Sequence, residues 1–187
     1  FSLSTPKIIS TGQGCFMVTN NDLLSEKMNM LKNFGRKESG KDNFESFGLN
    51  MKFTDLQAVV GIEQMKQLDD RVLKMKLIYN QYYDNLVDLN IIKKPLSNDW
   101  IPWFVDIYID DREDLIEFLN KNNIKTRPTY GEINKTKMYY SEETLINSNY
   151  VSTKGLFLPS YITLSDSQIT YTCNLITLFL ENSKYKC

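Results

Sequence analysis

The stretch FSLSTPKIISTGQGCFMV, residues 1–18, determines which fold we expect for this chain. Lys7 lies between a segment rich in Ser and Thr and the turn at residues 11–14, Thr-Gly-Gln-Gly. Pro6 restricts the backbone before the lysine, and the glycines allow close approach of the backbone to a ligand. The hydroxyl donors suited to a phosphate are those of Ser2, Ser4 and Thr5. A lysine held in this way is suited to Schiff-base formation if burial or a nearby cation favours its neutral amine. From local composition alone, an exposed surface lysine is the commoner alternative.

Composition and charge exclude several classes of protein. The 187 residues are enough for one domain or two small ones, and 42% hydrophobic with 24% charged residues is ordinary for a globular protein. Lys and Arg are scattered and the formal net charge is -1, which argues against a nucleic-acid partner. No apolar stretch approaches membrane-spanning length, so we expect no membrane partner.

The cysteines and the absence of histidine restrict the chemistry. Cys15, Cys173 and Cys187 are far apart and have no metal-ligand spacing, which favours a reduced, cytoplasmic protein without a metal site. The chain has no histidine, so it lacks the commonest general base and the commonest zinc ligand. Any proton transfer would therefore depend on Lys, Asp, Glu, Tyr or a cofactor.

The spacing of apolar residues predicts alternating strands and helices. A capping box, Thr54 to Gln57, begins one long helix that runs to about Leu89, with a break near Asp69 left open. The other predicted helices are 21–33, 112–122, 142–150 and 166–182. The predicted strands are 15–19, 103–110 and 124–127, the last of them stopped by Pro128, and 156–159 is a brief apolar segment. This order indicates a small α/β domain after the long helix.

Five stretches, in order along almost the whole chain, resemble motifs of one enzyme family. They are Phe1–Asn20, Leu31–Arg36 (LKNFGR), Gly48–Ala58 (GLNMKFTDLQA), Asn123–Pro128 (NIKTRP) and Leu156–Leu164 (LFLPSYITL). They are similar to the motifs of the DegT/DnrJ/EryC1/StrS sugar aminotransferases, which use pyridoxal 5'-phosphate (PLP). A lone lysine motif is weak, whereas several ordered matches with sensible spacing are strong.

The resemblance implies a fold and a division into domains. The fold is α/β, the type I fold of PLP-dependent transferases. Residues 1–53 would be the remainder of the PLP-binding large domain, residues 54–90 the long linking helix and residues 91–187 the small C-terminal domain.

The resemblance also implies roles for five residues. Lys7 would form the Schiff base with PLP and shuttle the proton, and Ser2 would bond the PLP phosphate. Asn50 would reach the phosphate of the neighbouring subunit's cofactor, because the family's sites are shared across a homodimer. Lys52 would offer positive charge to the cofactor or to the sugar-nucleotide phosphate, and Arg127 would contact substrate. Each role has an alternative. Ser2 could be merely a polar residue leading into a strand, and Asn50 a turn residue. Lys52 and Arg127 could be solvated surface charges. Thr54 and Gln57 are interpreted as a helix cap only.

The reaction implied transfers an amino group, from glutamate as the expected donor, to a keto group on a nucleotide-linked sugar. The Thr-Arg-Pro motif at residues 126–128 and Gln13 favour a 4-keto-6-deoxyhexose. One alternative is a non-catalytic α/β binding or assembly module of the same fold. Another is a PLP-dependent sugar dehydratase, although some family dehydratases have His at the lysine position and Lys7 argues against that reaction.

Three departures from the family pattern affect the expected substrate contacts more than the cofactor chemistry. Residues 12–15 read Gly-Gln-Gly-Cys instead of Gly-Glu-Gly-Gly, Phe34 stands where His is common, and no His follows Arg127. The carboxylate that pairs with the pyridine nitrogen and the ring that stacks on PLP are not identifiable here. We therefore expect this chain alone to be inactive, to bind PLP weakly and to expose a large apolar surface.

Overall fold

The computed structural model describes residues 1–97 and 99–183, so that Cys187 lies outside the described residues. The chain divides into two compact units, Phe1–Asp69 and Asp70–Cys187. This boundary lies inside the predicted linking helix, residues 54–90. None of the helices in the described part has the length and apolar character that crossing a bilayer requires. The same residues contain no group of three or more His, Cys, Asp or Glu side chains that could hold a metal ion.

The first unit consists of two helices and long irregular segments. Helix α1 covers Asp22–Lys32, as the sequence predicts, and the side chain of Asn21 caps its first turn. Helix α2 covers Asp55–Met65 and begins with the predicted capping box. The Gln57 N–H donates to Thr54 Oγ1 at 3.3 Å, and the Thr54 N–H donates to Gln57 Oε1 at 3.0 Å. Both helix starts were therefore predictable from local chemistry.

The strand predicted over residues 15–19 was wrong. In the described part of the chain, this segment pairs through an isolated antiparallel bridge between Cys15 and Ser2 and through two hydrogen bonds at Phe16. The Phe16 N–H donates to Phe1 O at 3.0 Å, and the Phe1 nitrogen donates to Phe16 O at 2.7 Å. The side chains of Phe16, Met17 and Val18 are exposed. A strand needs a paired backbone along its length, and an apolar run without such a partner remains irregular.

The long helix predicted over residues 54–90 consists of two helices and a short turn. Helix α2 ends at Met65, helix α3 covers Leu68–Leu86, and a 3-10 turn covers Val87–Leu89. The break lies before the Asp69 position that the sequence left open, and it contains a tight turn in which the Gln67 N–H donates to Gln64 O at 3.1 Å. No Pro or Gly marks the break, so the sequence indicated its position only approximately.

The second unit contains a three-stranded antiparallel sheet in the order β1-β3-β2. Strand β1 covers Val105–Tyr108, β2 covers Arg127–Pro128 and β3 covers Gly155–Leu158. The prediction that Pro128 stops a strand was wrong, because Pro128 is itself paired opposite Leu156. Strand β2 lies at the edge of this sheet, where the missing N–H of proline is tolerated.

Three helices complete the second unit. Helix α4 covers Arg112–Lys121 and helix α6 covers Asp166–Ser183, both close to their predicted positions. Helix α5 covers Ile146–Lys154, four residues later than predicted at each end, and a 3-10 turn lies at Ile133–Lys135. The start of α6 is also a capping box, in which Ser165 and Gln168 exchange hydrogen bonds.

The core of the second unit lies between one face of the sheet and the helices. Alternate residues of β1 are buried, which is the pattern of a half-buried strand. The largest fully buried side chains are those of Ile78, Tyr82, Leu86, Val105, Ile107, Leu115, Leu119, Leu156, Ile169, Cys173 and Ile176. Burial raises the pKa of the Cys173 thiol to about 12, so this free cysteine is an inert packing residue.

Candidate functional site

Lys7 lies in a loop whose two ends are held together by backbone hydrogen bonds. The Leu3 N–H donates to Gly14 O at 2.9 Å, and the Thr11 N–H donates to Leu3 O at 3.0 Å. Within the loop, the Lys7 N–H donates to Ser4 O at 3.0 Å, which closes a turn at the lysine. The Lys7 side chain is half-buried. The loop therefore fixes the backbone on both sides of the lysine.

Most hydroxyl groups of this loop bond to the backbone of the loop itself. Thr5 Oγ1 donates to Gly12 O at 3.0 Å, and Thr11 Oγ1 donates to Gln13 O at 2.7 Å. Such bonds replace a sheet or helix ladder and stabilise the turn locally.

Ser2 and Ser4 form a different arrangement. Their hydroxyl oxygens lie 3.0 Å apart, and the Ser4 N–H donates to Ser2 Oγ at 3.3 Å. One hydroxyl of the pair donates to the other, so the second O–H is left to donate to an external acceptor. The pair can therefore donate one hydrogen bond to an external acceptor, and a phosphate oxygen in that place stays a prediction for Ser2.

Helix α2 supports the Lys7 loop through two glutamines that the sequence interpretation missed. Gln57 Nε2 donates to Gln13 O at 2.7 Å, and the Ser10 N–H donates to Gln64 Oε1 at 3.4 Å. Gln57 thus contacts the loop in addition to capping its helix. The two glutamines are seven residues apart, which places them on one face of a helix, and this spacing was a readable signal.

Asn50 lies in a segment paired with the C-terminal end of α1. Asn50 forms an isolated antiparallel bridge with Asn33, and the Leu49 N–H donates to Leu31 O at 2.7 Å. The Asn50 side chain is exposed. Its amide is therefore available to a ligand at the surface of the first unit.

Lys52, two residues further along, is exposed, and its Nζ lies 5.5 Å from the centroid of the Phe34 ring. Lys37, in contrast, is paired with Glu26 at 3.2 Å and with Glu45 at 3.4 Å. The Glu26 carboxylate, followed by that of Glu45, raises the pKa of Lys37. Within residues 1–97 and 99–183, no carboxylate lies within 4.0 Å of the Lys52 ammonium group. Lys52 therefore keeps its charge uncompensated at short range.

Arg127 belongs to the second unit, whereas Lys7, Ser2, Asn50 and Lys52 all belong to the first. Arg127 is exposed on β2, and its guanidinium carbon lies 5.1 Å from the centroid of the Tyr130 ring. The structure therefore groups four of the five predicted site residues in one unit.

The donor set of the first unit fits PLP chemically. A primary amine, a hydroxyl pair, a side-chain amide and a second ammonium group match one aldehyde and one phosphate. These groups come from Lys7, Ser2 with Ser4, Asn50 and Lys52.

Comparison with known proteins places the same motifs in one family. The DegT/DnrJ/EryC1/StrS aminotransferase family model matches residues 1–177. The GDP-perosamine synthase of Vibrio cholerae is 30% identical over 186 residues, which cover 94% of this chain and 51% of that protein. The chain spans about half the length of the curated relatives it matches.

Solved structures agree with the fold. The aminotransferase TlmJ from Streptoalloteichus hindustanus matches with a TM-score of 0.86 at 22% identity, covering 98% of this chain and 52% of that one. The GDP-4-keto-6-deoxy-D-mannose-3-dehydratase of E. coli with bound hydrated PLP matches with a TM-score of 0.78 at 21% identity, covering 94% and 53%. The predicted fold, the α/β fold of PLP-dependent sugar aminotransferases, is confirmed, and this chain supplies about half of it.

Proposed function

We propose that this chain, which belongs to the DegT/DnrJ/EryC1/StrS aminotransferase family, is part of a PLP-dependent aminotransferase that acts on a nucleotide-linked keto-sugar. The observation that carries the proposal is the half-buried Lys7 in its hydrogen-bonded loop, beside the hydroxyl pair of Ser2 and Ser4. The similarity to a GDP-perosamine synthase supports a 4-keto-6-deoxyhexose as the sugar. Glutamate as the amino donor rests on the family resemblance.

In this proposal, Lys7 has two tasks. Its amine would hold the cofactor covalently, and once released, Nζ would move the proton of the 1,3-transfer between the two carbons on either side of the nitrogen. When bound, PLP supplies the electron sink for the carbanion character that develops during this transfer. The turn from the Lys7 N–H to Ser4 O keeps the lysine backbone in place while the side chain moves.

The other site residues bind and orient. The free O–H of the Ser2–Ser4 pair donates to a phosphate oxygen of the cofactor. Asn50 donates to the phosphate of the cofactor held by the partner subunit of a homodimer, so that two subunits share each site. Lys52 supplies positive charge to a phosphate of the cofactor or of the sugar nucleotide, and Arg127 contacts substrate.

The test of the cofactor and the nucleophile is reduction of the PLP-loaded full-length protein with borohydride, followed by peptide mass spectrometry. We expect one pyridoxyl adduct, on the peptide that contains Lys7. The matched control is Lys41→Arg, since Lys41 is an exposed lysine of the same unit and pairs with Glu38 at 2.6 Å. Absence of the adduct, or random labelling of lysines, would refute the proposal and favour a non-catalytic binding or assembly module.

A sugar dehydratase is the second candidate, because one structural neighbour is a PLP-containing 3-dehydratase of a GDP-linked keto-sugar. The full-length protein is incubated with a nucleotide-linked 4-keto-6-deoxyhexose and glutamate, and the products are identified by mass spectrometry. We expect an amino-sugar nucleotide and 2-oxoglutarate. A product that has lost one water and gained no nitrogen would establish dehydration instead.

A further inference from the structure

Phe34 occupies a backbone conformation that normally favours glycine. Its φ angle is 59°, in the left-handed region, which is unfavourable for a bulky side chain. The residue nevertheless ends helix α1: the Gly35 N–H donates to Met30 O at 2.8 Å, the six-to-one bond of a Schellman turn. Phe34 takes the position in this turn where glycine is usual. Residues kept in such conformations often have a functional reason.

The Phe34 turn is tied to the segment that carries Lys52. The Phe34 N–H donates to Leu49 O at 3.2 Å, and the Leu49 N–H donates to Leu31 O at 2.7 Å. Two residues of α1 and its turn thus exchange hydrogen bonds with one residue of the segment. This exchange holds the backbone of Phe34 beside the segment that carries Lys52.

Two glycines allow the backbones to approach closely at this crossing. A Cβ atom at Gly48 would overlap the backbone nitrogen of Gly35, and a Cβ atom at Gly35 would overlap the backbone oxygen of Ser46. No side chain fits between the two segments here, so the crossing has little freedom to shift.

The Phe34 ring has two cations as neighbours. Lys52 Nζ lies 5.5 Å and the guanidinium carbon of Arg36 lies 5.2 Å from the ring centroid, both within the range of a cation–π interaction. Among the described residues, the carboxylate paired with Arg36 is that of Asp42, 3.4 Å from Nη1, and the Asp42 side chain is 87% exposed. An exposed carboxylate compensates charge weakly. Arg36, Lys52 and Asp42 together therefore carry a net positive charge, which suits a phosphate group.

We propose that Phe34 is a positioning residue whose ring holds the Lys52 ammonium group in place for a phosphate, either that of the cofactor or the diphosphate of the sugar nucleotide. This inference rests on the role of Lys52 in the proposed function. The ring attracts the cation and restricts a long, flexible side chain that has no carboxylate within 4.0 Å in the described part of the chain. Phe34 itself touches no reacting atom.

The test compares Phe34→Leu, Phe34→Tyr and Lys52→Met in the full-length, PLP-loaded protein. One arm measures GDP binding by calorimetry, and the other measures PLP affinity by dialysis and absorbance. We expect Phe34→Leu to weaken whichever ligand Lys52→Met weakens, by about 2- to 5-fold, while Phe34→Tyr, which keeps the ring face, restores the affinity. In the Lys52→Met background, Phe34→Leu is expected to have no further effect, because the ring acts through the lysine.

Two controls separate this effect from misfolding. Phe34→Gly relieves the left-handed strain while it removes the ring, so it should keep the fold and lose affinity as Phe34→Leu does. Phe44→Leu removes a ring that lies 5.8 Å from Arg36, and it should leave both ligands unaffected. Additive losses for Phe34→Leu and Lys52→Met, or unchanged affinity for both ligands in Phe34→Leu, would overturn the inference.

The same measurements distinguish the two proposals. Specific borohydride labelling of Lys7 in a protein whose affinities are insensitive to Phe34→Leu refutes the role of Phe34 alone. Failure of the wild-type protein to label at Lys7 refutes the proposed function. A wild-type protein that binds neither PLP nor GDP refutes both proposals.

Discussion

In the second unit, strands β1 and β3 and helices α3, α4 and α6 bury apolar side chains, whereas in the described first unit no hydrophobic side chain is buried. Helix α2 shows the contrast most clearly, since Leu56 is 83% exposed and Val59 and Ile62 are each 60% exposed. The first unit is held instead by backbone crossings and by side chains that bond to backbone atoms. Exposed apolar surface of this kind is typical of protein interfaces. The finding agrees with our expectation that this chain alone leaves a large apolar surface uncovered.

The two units therefore carry different properties of the protein. The second unit has the burial that usually dominates stability. The first unit contains four of the five predicted site residues and few buried groups. Substitutions in the two units should therefore have separable effects.

The largest expected effect is on activity. Lys7→Arg in the full-length protein should reduce transamination at least about 1,000-fold, because arginine does not provide a nucleophilic amine. Thermal unfolding should change little, since the Lys7 backbone bond to Ser4 remains. The measurement is amino-sugar formation followed by mass spectrometry, with Lys41→Arg as the control. Substantial residual activity in Lys7→Arg would show that this lysine is not the nucleophile.

The largest expected effect on stability lies in the second unit. Ile107 is fully buried in β1, and Ile107→Ala should lower the free energy of unfolding by about 2–5 kcal/mol. Leu56→Ala in the same 187-residue chain should change it by less than about 0.5 kcal/mol, because Leu56 is 83% exposed. Urea unfolding followed by circular dichroism measures both. Equal losses of unfolding free energy in the two variants would contradict the contrast between a packed second unit and a first unit without buried apolar side chains.

A smaller effect tests the backbone crossing in the first unit. Gly48→Ala should cost about 1–3 kcal/mol, because the added methyl group meets backbone atoms of Phe34 and Gly35. Gly131→Ala is the matched control, since a Cβ atom there meets nothing within 4 Å. Hydrogen exchange of the Leu49 amide, which donates to Leu31 O, reports the crossing directly. Unchanged protection of that amide in Gly48→Ala would show that the crossing is looser than the structure indicates.

The smallest expected effect is a dependence of the stability of the second unit on pH. Burial, and to a smaller degree Asp106, raises the pKa of Tyr79 from 10.0 to about 12. The folded state therefore binds this proton more tightly than the unfolded chain. The contribution of this group to the free energy of unfolding is fully present below pH 10.0, and it is lost as the pH rises through about 12.

Tyr79→Phe tests this dependence. It should lower stability at neutral pH by about 1 kcal/mol, because the hydroxyl donates to Lys93 O at 2.7 Å, and it should reduce the loss of stability above pH 10. Urea unfolding at pH 8 and at pH 11 measures both effects. An alkaline loss that is the same in the variant and the wild type would assign it to other groups.

Local chemistry made several elements predictable. Helix α1, the capping box of α2 and the start of α6 each depend on residues within one turn of each other, and all three are confirmed. The break in the long helix was left open near Asp69, and it lies a few residues earlier, after Met65. The pairing of Pro128 depends on a partner far away in sequence and was missed. The strand predicted at residues 15–19 failed for the related reason that an apolar run becomes a strand only where another backbone pairs with it.

The family, the lysine motif and the order of the main helices could be read from the sequence, because ordered motifs and periodic apolar residues are local properties of a chain. Which side chains meet became known from the folded structure alone. Gln57 and Gln13 are 44 residues apart and bond at 2.7 Å. Lys52 reaches the ring of Phe34 at 5.5 Å because two segments cross at glycines. Contacts of this kind depend on how backbones pack in space, and spacing along the chain carries no direct record of them.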